Sequence, residues 1–322
     1  MGMRRKIAAA VAMMAAGALA LTGCSGSSNA NSSAGAGKSY NIGVVVLDLQ
    51  DPDLAKMTDA MKKTADEKGV KLNITDSKKD VGSELNQVED LLTRQVDAII
   101  MQPLDGDASQ NAAKRVIAAN IPLFILSTEF TEGANIAYKS YIGVDDTVAG
   151  QMQAEYLNKL MPNGGNLVFA AGQYGASWTD RRKSGFDKTI NKNFKIVAEF
   201  QAKGSRDDAK RNMEDTLQRF PSGQIEAVVA NNDEMAIGAA SAITDAGRTA
   251  EFKAVVGVDG TDPALQGIKA GTMSATVRQD SAGQGVKAVE VVSDFLKGGN
   301  VENRYTLPFT LITKDNLSEF LK

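Results

Sequence analysis

Carboxylate and amide side chains follow most of the short apolar runs in this sequence. Asp51 and Asp53 follow the first run, and Asn232, Asp259 and Gln279 follow three later ones. Such planar groups make two hydrogen bonds in one plane, a geometry that suits vicinal hydroxyl groups. Any single one of these residues is more simply explained as a helix cap or a turn residue. Their number and their common placement favour a site for a polyhydroxylated solute.

The residues used most often in catalysis and metal binding are scarce. The 322 residues include no histidine and one cysteine, which leaves no imidazole base, no internal disulfide and no multi-cysteine metal site. The 36 Lys and Arg against 39 Asp and Glu give no basic surplus for nucleic acid. We therefore expect no catalytic residue, no metal, no cofactor and no nucleic-acid partner. A glycosidase that uses a carboxylate pair such as Asp51 and Asp259 is an alternative, which an assay for released sugar distinguishes.

The amino terminus has the pattern of a secretory signal. Three cations at positions 4–6 precede an apolar run over residues 7–21, which is shorter than the roughly 20 residues of a membrane-spanning helix. The run ends in Leu-Thr-Gly-Cys, which resembles a bacterial lipobox and implies cleavage before Cys24 and lipidation of that cysteine. Residues 25–37 are only Ser, Gly, Ala and Asn, a composition typical of a flexible tether. We predict a signal peptide over residues 1–23, a lipidated tether over residues 24–39, and a body held outside the cell membrane or in a periplasm.

Apolar runs of strand length alternate with helical spacings through the rest of the chain. Residues 42–47 form a continuous apolar run, as expected for a parallel strand covered on both faces. Residues 54, 57, 61 and 65 are then apolar at the spacing of one helix face. The alternation reaches about residue 143 and then begins again. This order predicts an α/β fold of two doubly wound parallel-sheet lobes, with the ligand beyond the carboxyl ends of the strands.

Several stretches resemble the sugar-binding proteins of bacterial ABC importers, in particular the ribose- and inositol-binding type. They are LNQV at 85–88, VDAII at 96–100, QPLDGDA at 102–108, VVANNDEMAIG at 228–238, VGVDGT at 256–261 and QDSAGQG at 279–285. The resemblance covers nearly all of residues 40–321. It implies the type I periplasmic-binding-protein fold, with a three-segment hinge that lets two lobes close on a sugar. It also implies an ABC permease as the receiving partner, and we expect a monomer.

The motifs place the three chain crossings near residues 143, 280 and 298. An N-terminal lobe is therefore expected over residues 40–143 and 281–298, and a C-terminal lobe over residues 144–280 and 299–322. A receptor that passes its ligand to a signalling system stays an alternative to transport. A DNA-binding regulator with the same body would carry a helix-turn-helix where the signal peptide stands.

The resemblance implies ligand contacts at Asp51, Asn232, Asp259 and Gln279. The sequence also departs from the family pattern, because Ser127 and Thr128 replace a family Asp-Arg or Asn-Arg pair, and an expected arginine falls on Asp180. The aromatic residues that normally stack on the sugar fall on Asp53, Leu54, Gly204 and Val258. The predicted ligand-binding residues are Asp51, Asp53, Thr128, Tyr174, Trp178, Asp180, Asn232, Asp259 and Gln279.

The departures indicate what kind of sugar is bound. Trp178 and Tyr174 are expected to replace the missing aromatic platform. The loss of arginine and the gain of carboxylates, possibly including Glu129, predict an acidic cleft. We expect a monosaccharide or cyclic polyol of the ribose or inositol type as the ligand, and the acidic cleft offers as an alternative a ligand richer in hydrogen-bond donors, such as an amino sugar.

Overall fold

Two six-stranded sheets organise residues 39–321, the part of the chain that the computed structural model describes. The predicted signal peptide and Cys24, with nearly all of the predicted tether, lie outside these residues. The strands are β1 (Asn41–Val46), β2 (Lys71–Asp76), β3 (Ala98–Met101), β4 (Leu123–Ser127), β5 (Ser140–Gly143), β6 (Gly165–Ala171), β7 (Phe194–Gln201), β8 (Ala227–Ala230), β9 (Ala254–Asp259), β10 (Ala275–Arg278), β11 (Arg304–Thr306) and β12 (Thr310–Thr313). The α-helices are α1 (Pro52–Lys68), α2 (Val81–Thr93), α3 (Gln110–Ala118), α4 (Asp146–Leu160), α5 (Ser177–Thr189), α6 (Arg206–Arg219), α7 (Asp233–Asp245), α8 (Asp262–Ala270) and α9 (Ser281–Leu296).

Each sheet forms the centre of one lobe. The first sheet has the strand order β11-β5-β4-β3-β1-β2, and all its pairings are parallel. The second has the order β12-β10-β9-β8-β6-β7, in which only β12 runs antiparallel to its neighbour. The predicted α/β fold with two doubly wound lobes is confirmed.

The continuous apolar runs arise because both faces of each sheet are covered. In β1, Val44 and Val46 belong to one buried cluster and Val45 to another. In β6, Val168 and Phe169 divide in the same way between two clusters of the second lobe. Since successive side chains of a strand point to opposite faces, a strand between two helical layers has no polar face.

The chain passes between the lobes three times. The passages lie between β5 and α4, between β10 and α9, and between β11 and β12. The third lies later than residue 298, where the motifs placed it. Tyr305 of β11 pairs in parallel with Ile142 of β5, so β11 extends the first sheet and residues 304–306 do not belong to the C-terminal lobe. The strand has only three residues and no fully buried one, so its sequence carries no apolar run to mark it.

Two glycines allow α4 and α5 to pack in close contact. A Cβ atom on Gly150 would lie 1.8 Å from the carbonyl oxygen of Arg182, and one on Gly185 would lie 2.0 Å from the carbonyl oxygen of Thr147. The close approach brings the first turn of α4 beside the first turns of α5. It therefore brings Asp146 of α4 and Arg182 of α5 together, with 2.8 Å between Arg182 Nε and Asp146 Oδ1.

Substitution of Gly150 by Ala tests this packing. The methyl group would overlap backbone atoms that cannot rotate away, so we expect a loss of about 1–3 kcal/mol in the free energy of unfolding, measured by urea denaturation. Val148→Ala on the same helix is the control, because Val148 is exposed and its truncation should change stability by less than about 0.5 kcal/mol. Equal stability of the two variants would contradict the close contact.

Candidate functional site

A cavity of about 70 Å³ lies between the carboxyl ends of the two sheets. Seven of the nine predicted ligand-binding residues line it, namely Asp51, Asp53, Thr128, Trp178, Asn232, Asp259 and Gln279. Both lobes contribute: the first three belong to the first lobe and the next three to the second, and Gln279 lies on the second crossing. On this measure a single water molecule needs about 10–15 Å³, so the cavity holds several water-sized groups.

The other two predicted residues, Tyr174 and Asp180, lie outside the cavity. The Tyr174 side chain is 52% exposed and its hydroxyl donates a hydrogen bond to Glu199 Oε1 at 3.3 Å. Asp180 is exposed on the outer face of α5. Trp178 and Arg182, two positions before and after it, line the cavity, and a residue two positions away on a helix points to the opposite side. The arginine expected near position 180 is therefore Arg182, and the cleft has not lost its arginine.

Asp51 and Asp53 are positioned by the start of α1. Asp51 is the N-cap of the helix, and its Oδ1 accepts a hydrogen bond from the backbone N–H of Asp53 at 2.9 Å. The Asp53 side chain is 6% exposed. Its Oδ2 accepts hydrogen bonds from Ser281 Oγ at 2.5 Å and from Gln279 Nε2 at 3.1 Å. Asp51 is therefore a helix cap, as the simpler explanation predicted, while the Asp53 side chain points into the cavity.

Gln279 joins carboxylates from the two lobes. Its Nε2 donates to Asp53 Oδ2 and also to Asp259 Oδ1, the latter at 2.7 Å. Gln284 Nε2 donates to the Gln279 Oε1 at 3.1 Å, which fixes the orientation of the amide. Asp259 itself ends β9 with φ +124°, a region that non-glycine residues rarely adopt. The strained backbone places a carboxylate from the second lobe within reach of the crossing segment.

Arg182 and Asp146 form a buried ion pair at the back of the cavity. The Arg182 Nε is 2.8 Å from Asp146 Oδ1, and its Nη1 donates to the carbonyl oxygen of Asn231 at 2.6 Å. Nη1 also lies 3.7 Å from Asp259 Oδ1. The sequence prediction missed both members of the pair. The helical spacing offered a signal for Arg182, which lies four residues after Trp178 and hence on the same face of α5.

The side-chain amide of Asn232 uses its oxygen in a hydrogen bond and leaves its nitrogen available to the cavity. Its Oδ1 accepts a hydrogen bond from the backbone N–H of Met235 at 3.0 Å, which caps α7. Within residues 39–321 its Nδ2 makes no hydrogen bond, although the side chain is only 6% exposed and lines the cavity. The following residue, Asp233, is buried and accepts from Thr261 and Thr276, so it supports the second lobe from behind the site.

Burial governs the ionisation of the carboxylates. The pKa of Asp53 is raised to about 7, chiefly by desolvation and also by the neighbouring Asp51 and Asp233, while the hydrogen bond from Ser281 lowers it. Desolvation also raises the pKa of Asp259 well above its usual value, with Asp53 as the next cause, and Arg182 opposes the shift. Burial raises the pKa of Asp146 as well, although Arg182 lowers it. One guanidinium thus faces more buried negative charge than it can compensate.

The rest of the cavity wall is mixed in charge. Lys79 and Lys203 line it at its outer side, and Gln102 accepts a hydrogen bond from the backbone N–H of Leu47 at 3.2 Å. None of these three was among the predicted ligand-binding residues. The ring of Trp178 is the only aromatic one that lines the cavity in the described part of the chain, and Arg182 lies 5.3 Å from its centroid.

The lobes contact each other around the cavity. Glu129, after β4, lies 2.8 Å from Arg181 of the second lobe and is also bound by Arg304. Lys56 of α1 lies 3.0 Å from Asp262 of α8. The backbone N–H of Gly106 donates to the carbonyl oxygen of Gly175 at 2.9 Å. These contacts describe a closed arrangement, and they place Glu129 in an interlobe ion pair outside the residues that line the cavity.

The placement of the described side chains and helices bears on two further features, a metal centre and a membrane span. Among residues 39–321 no group of three or more metal-ligating side chains is placed to hold an ion. Within the same range no helix has the length and apolar character needed to span a membrane.

Two α/β lobes, three crossings and an enclosed polar cavity between them define the class of two-lobed solute-binding proteins. Residues 42–300 match the family model described as "periplasmic binding protein domain", and the chain belongs to this family. It is 32% identical to the ribose import binding protein of Salmonella typhimurium over 274 residues, 85% of this chain and 90% of the relative. It is 33% identical to a putative rhizopine-binding protein of Rhizobium meliloti over 78% of this chain and 82% of that protein.

A solved structure extends the comparison. An ABC transporter solute-binding protein from Bacillus halodurans with bound myo-inositol superposes with a TM-score of 0.82, at 33% identity, over 88% of this chain and 98% of that one. The predicted family, that of the sugar-binding proteins of ABC importers, is thereby confirmed, and the predicted fold with it.

Removal of the buried guanidinium tests the electrostatics of the site. Arg182→Met leaves Asp146 and Asp259 buried without their cation, so we expect a loss of about 3–5 kcal/mol in the free energy of unfolding. The loss should be larger at pH 8 than at pH 5, because carboxyl groups with raised pKa values take up protons as the pH falls and then no longer need the cation.

Arg181→Met is the matched control for this substitution. Arg181 is half-exposed and pairs with Glu129 at the rim, so its removal should cost at most about 1 kcal/mol. Urea denaturation of both variants at the two pH values measures the difference. A cost for Arg182→Met that is small or independent of pH would show that the guanidinium does not compensate the two carboxylates.

Proposed function

We propose that this protein captures a monosaccharide or cyclic polyol between its two lobes and delivers it to an ABC permease. The observation that carries the proposal is the enclosed cavity, into which both lobes and the second crossing direct carboxylate, amide and guanidinium groups. The relatives named above are binding proteins for ribose, rhizopine and myo-inositol, and they support a small polar solute. The family also supports an extracytoplasmic location.

The energetics of the cavity are sufficient for capture. Micromolar affinity needs about 8 kcal/mol. Hydrogen bonds to charged groups contribute roughly 1.5–3 kcal/mol each, so four or five of them exceed this value before the costs of association and closure are subtracted. Closure follows binding only if the solute prefers the closed state. Contacts from Asp53 and Asp259, on opposite lobes, supply that preference.

Hydrogen-bonding chemistry favours binding over catalysis. The buried carboxylates Asp53 and Asp259 share one amide donor, and Gln279 holds them in a fixed relation across the lobes. Hydrogen bonds from Gln279 occupy one oxygen of each carboxylate, and the relatives compared with this chain are binding proteins. We therefore propose that the solute leaves the protein unchanged.

Asn232→Ser tests the capture. Serine also caps helices, so the cap of α7 is retained while the amide donor in the cavity is lost. We expect the affinity for the preferred sugar or polyol, found by a thermal-shift screen of pentoses, hexoses and inositols, to fall about tenfold by titration calorimetry. Asp180→Asn is the control, since this exposed residue lies outside the cavity and its change should leave the affinity intact.

Results of the binding assay, of a product assay and of an import assay in cells can each contradict the proposal. If the wild-type protein binds none of the sugars and polyols, the solute class is wrong. If it binds one and converts it to a product, the proposed binding function is wrong. If capture is normal but cells that lack the protein still import the solute at the wild-type rate, a sensory role replaces delivery to a permease.

We also propose that a lipid on Cys24 anchors the protein to the outer face of the membrane. The basic head, the apolar run and the Leu-Thr-Gly-Cys sequence support this step. Cys24→Ala should move the protein from the membrane fraction to the soluble fraction of cells, because the acyl chains are then absent. An unchanged distribution in the two fractions would exclude the anchor. We expect the protein to act as a monomer.

A further inference from the structure

Two carboxylates from opposite lobes meet in the cavity and depend, together with Asp146, on the one buried guanidinium of the described residues, that of Arg182. Asp53 Oδ2 and Asp259 Oδ1 both accept from Gln279 Nε2, which places these oxygens within about 6 Å of each other. The second oxygen of each carboxylate, Asp53 Oδ1 and Asp259 Oδ2, accepts no hydrogen bond from residues 39–321. Both side chains are more than nine-tenths buried and line the cavity.

The cations that line the cavity do not balance its buried carboxylates. Arg182 is shared between Asp146, at 2.8 Å, and Asp259, at 3.7 Å. Lys79 lies 3.1 Å from Asp48, and the Lys203 side chain is exposed at the outer end. The charged residues of the wall are Asp51, Asp53, Lys79, Asp146, Arg182, Lys203 and Asp259, with Asp233 and Glu234 acting on them from α7. Its buried part therefore has more carboxylates than cations.

A second observation in the same cavity points to a bound solute. Asn232 is 6% exposed and its Nδ2 has no hydrogen-bond partner among the described residues, while its Oδ1 accepts from the backbone N–H of Met235 in the cap of α7. An amide N–H donates to a hydroxyl or carbonyl oxygen. The cavity thus offers a free donor on the second lobe and free acceptors on both lobes. A solute that satisfies all of them carries an acceptor and a strong donor.

We propose that the solute is a sugar or cyclitol that bears a protonated amine, with the ammonium group held between Asp53 and Asp259. The proposal rests on the function proposed above and specifies its substrate class. An ammonium group donates three hydrogen bonds and adds a second positive charge beside Arg182, which in the described part of the chain alone faces three buried carboxylates. The ring hydroxyls then face Asn232 and the Arg182 side.

The pH dependence of binding distinguishes an amine from a neutral solute. Burial raises the pKa of Asp53 to about 7, so below this pH the empty closed cavity holds protons. An ammonium group needs the ionised carboxylates, and its affinity should rise as the pH rises towards 7.5. A neutral polyol is compatible with the protonated form, and its affinity should stay constant or fall over the same range.

Titration calorimetry with matched solutes tests the proposal. The pairs are myo-inositol with an inosamine, in which one hydroxyl is replaced by an amine, and D-glucose with D-glucosamine. N-acetyl-D-glucosamine is the control for the added nitrogen without its charge. At pH 7.5 we expect at least one amine to bind about tenfold tighter than both its neutral partner and any acetylated form, and to lose affinity at pH 6.

Two variants assign the preference to the carboxylate pair. Asp259→Asn should reduce the ratio of amine to neutral affinity to about one, while Asp180→Asn should leave the ratio unchanged. Should Asp259→Asn fail to fold, as judged by its melting curve, the pH series on the wild-type protein decides the question alone.

The possible results separate this proposal from the proposed function. If a neutral polyol binds as tightly as its amine at both pH values, the amine is excluded and capture of a polyol stands. If none of the amines, sugars or polyols binds, both proposals fail.

Discussion

The structure depends on the burial of carboxylates from two lobes in one small cavity. Asp53 comes from the start of α1 and Asp259 from the end of β9, and in this closed arrangement both reach the same amide, that of Gln279. Two like charges in a site of low polarity repel each other, and burial favours their protonated forms. The closed state is therefore stabilised when something with hydrogen-bond donors occupies the space between them. Solute capture and lobe closure are in this sense the same event.

The fold provides the rigid supports that this arrangement needs. Parallel strands covered on both faces end together at one edge, and each ends in a loop that carries a polar side chain into the cavity. The glycine contacts between α4 and α5 bring Asp146 and Arg182 together at 2.8 Å, and the same guanidinium reaches Asp259 at 3.7 Å. Within residues 39–321 three chain segments join the two sheets, and a hinge motion needs changes in only a few backbone dihedrals.

The sequence predicted most of the fold because apolar periodicity reports on burial, which is what organises the two sheets. The sequence did not predict the position of β11, a three-residue strand in which two residues are exposed and one is partly buried. This strand joins the sheet through backbone pairing that no side-chain pattern records. For the cavity, the positions just after apolar strands correctly indicated Asp53, Asn232, Asp259 and Gln279 as lining residues, because the carboxyl ends of the parallel strands face the cavity. Arg182, Asp146 and Lys79 were missed because their placement depends on helix rotation and loop path. Asp180 was chosen in place of Arg182 through an error of two positions, which reverses the face of a helix.

The most direct measurement is a crystal structure of the protein with its solute, obtained by co-crystallisation with the tightest-binding compound. We expect electron density for the solute between the lobes, with polar atoms of the solute within about 3.2 Å of Asp53 on one lobe and of Asp259 on the other. A solute that contacts only one lobe, or that lies outside this cavity while the two carboxylates stay joined by Gln279 alone, would contradict it.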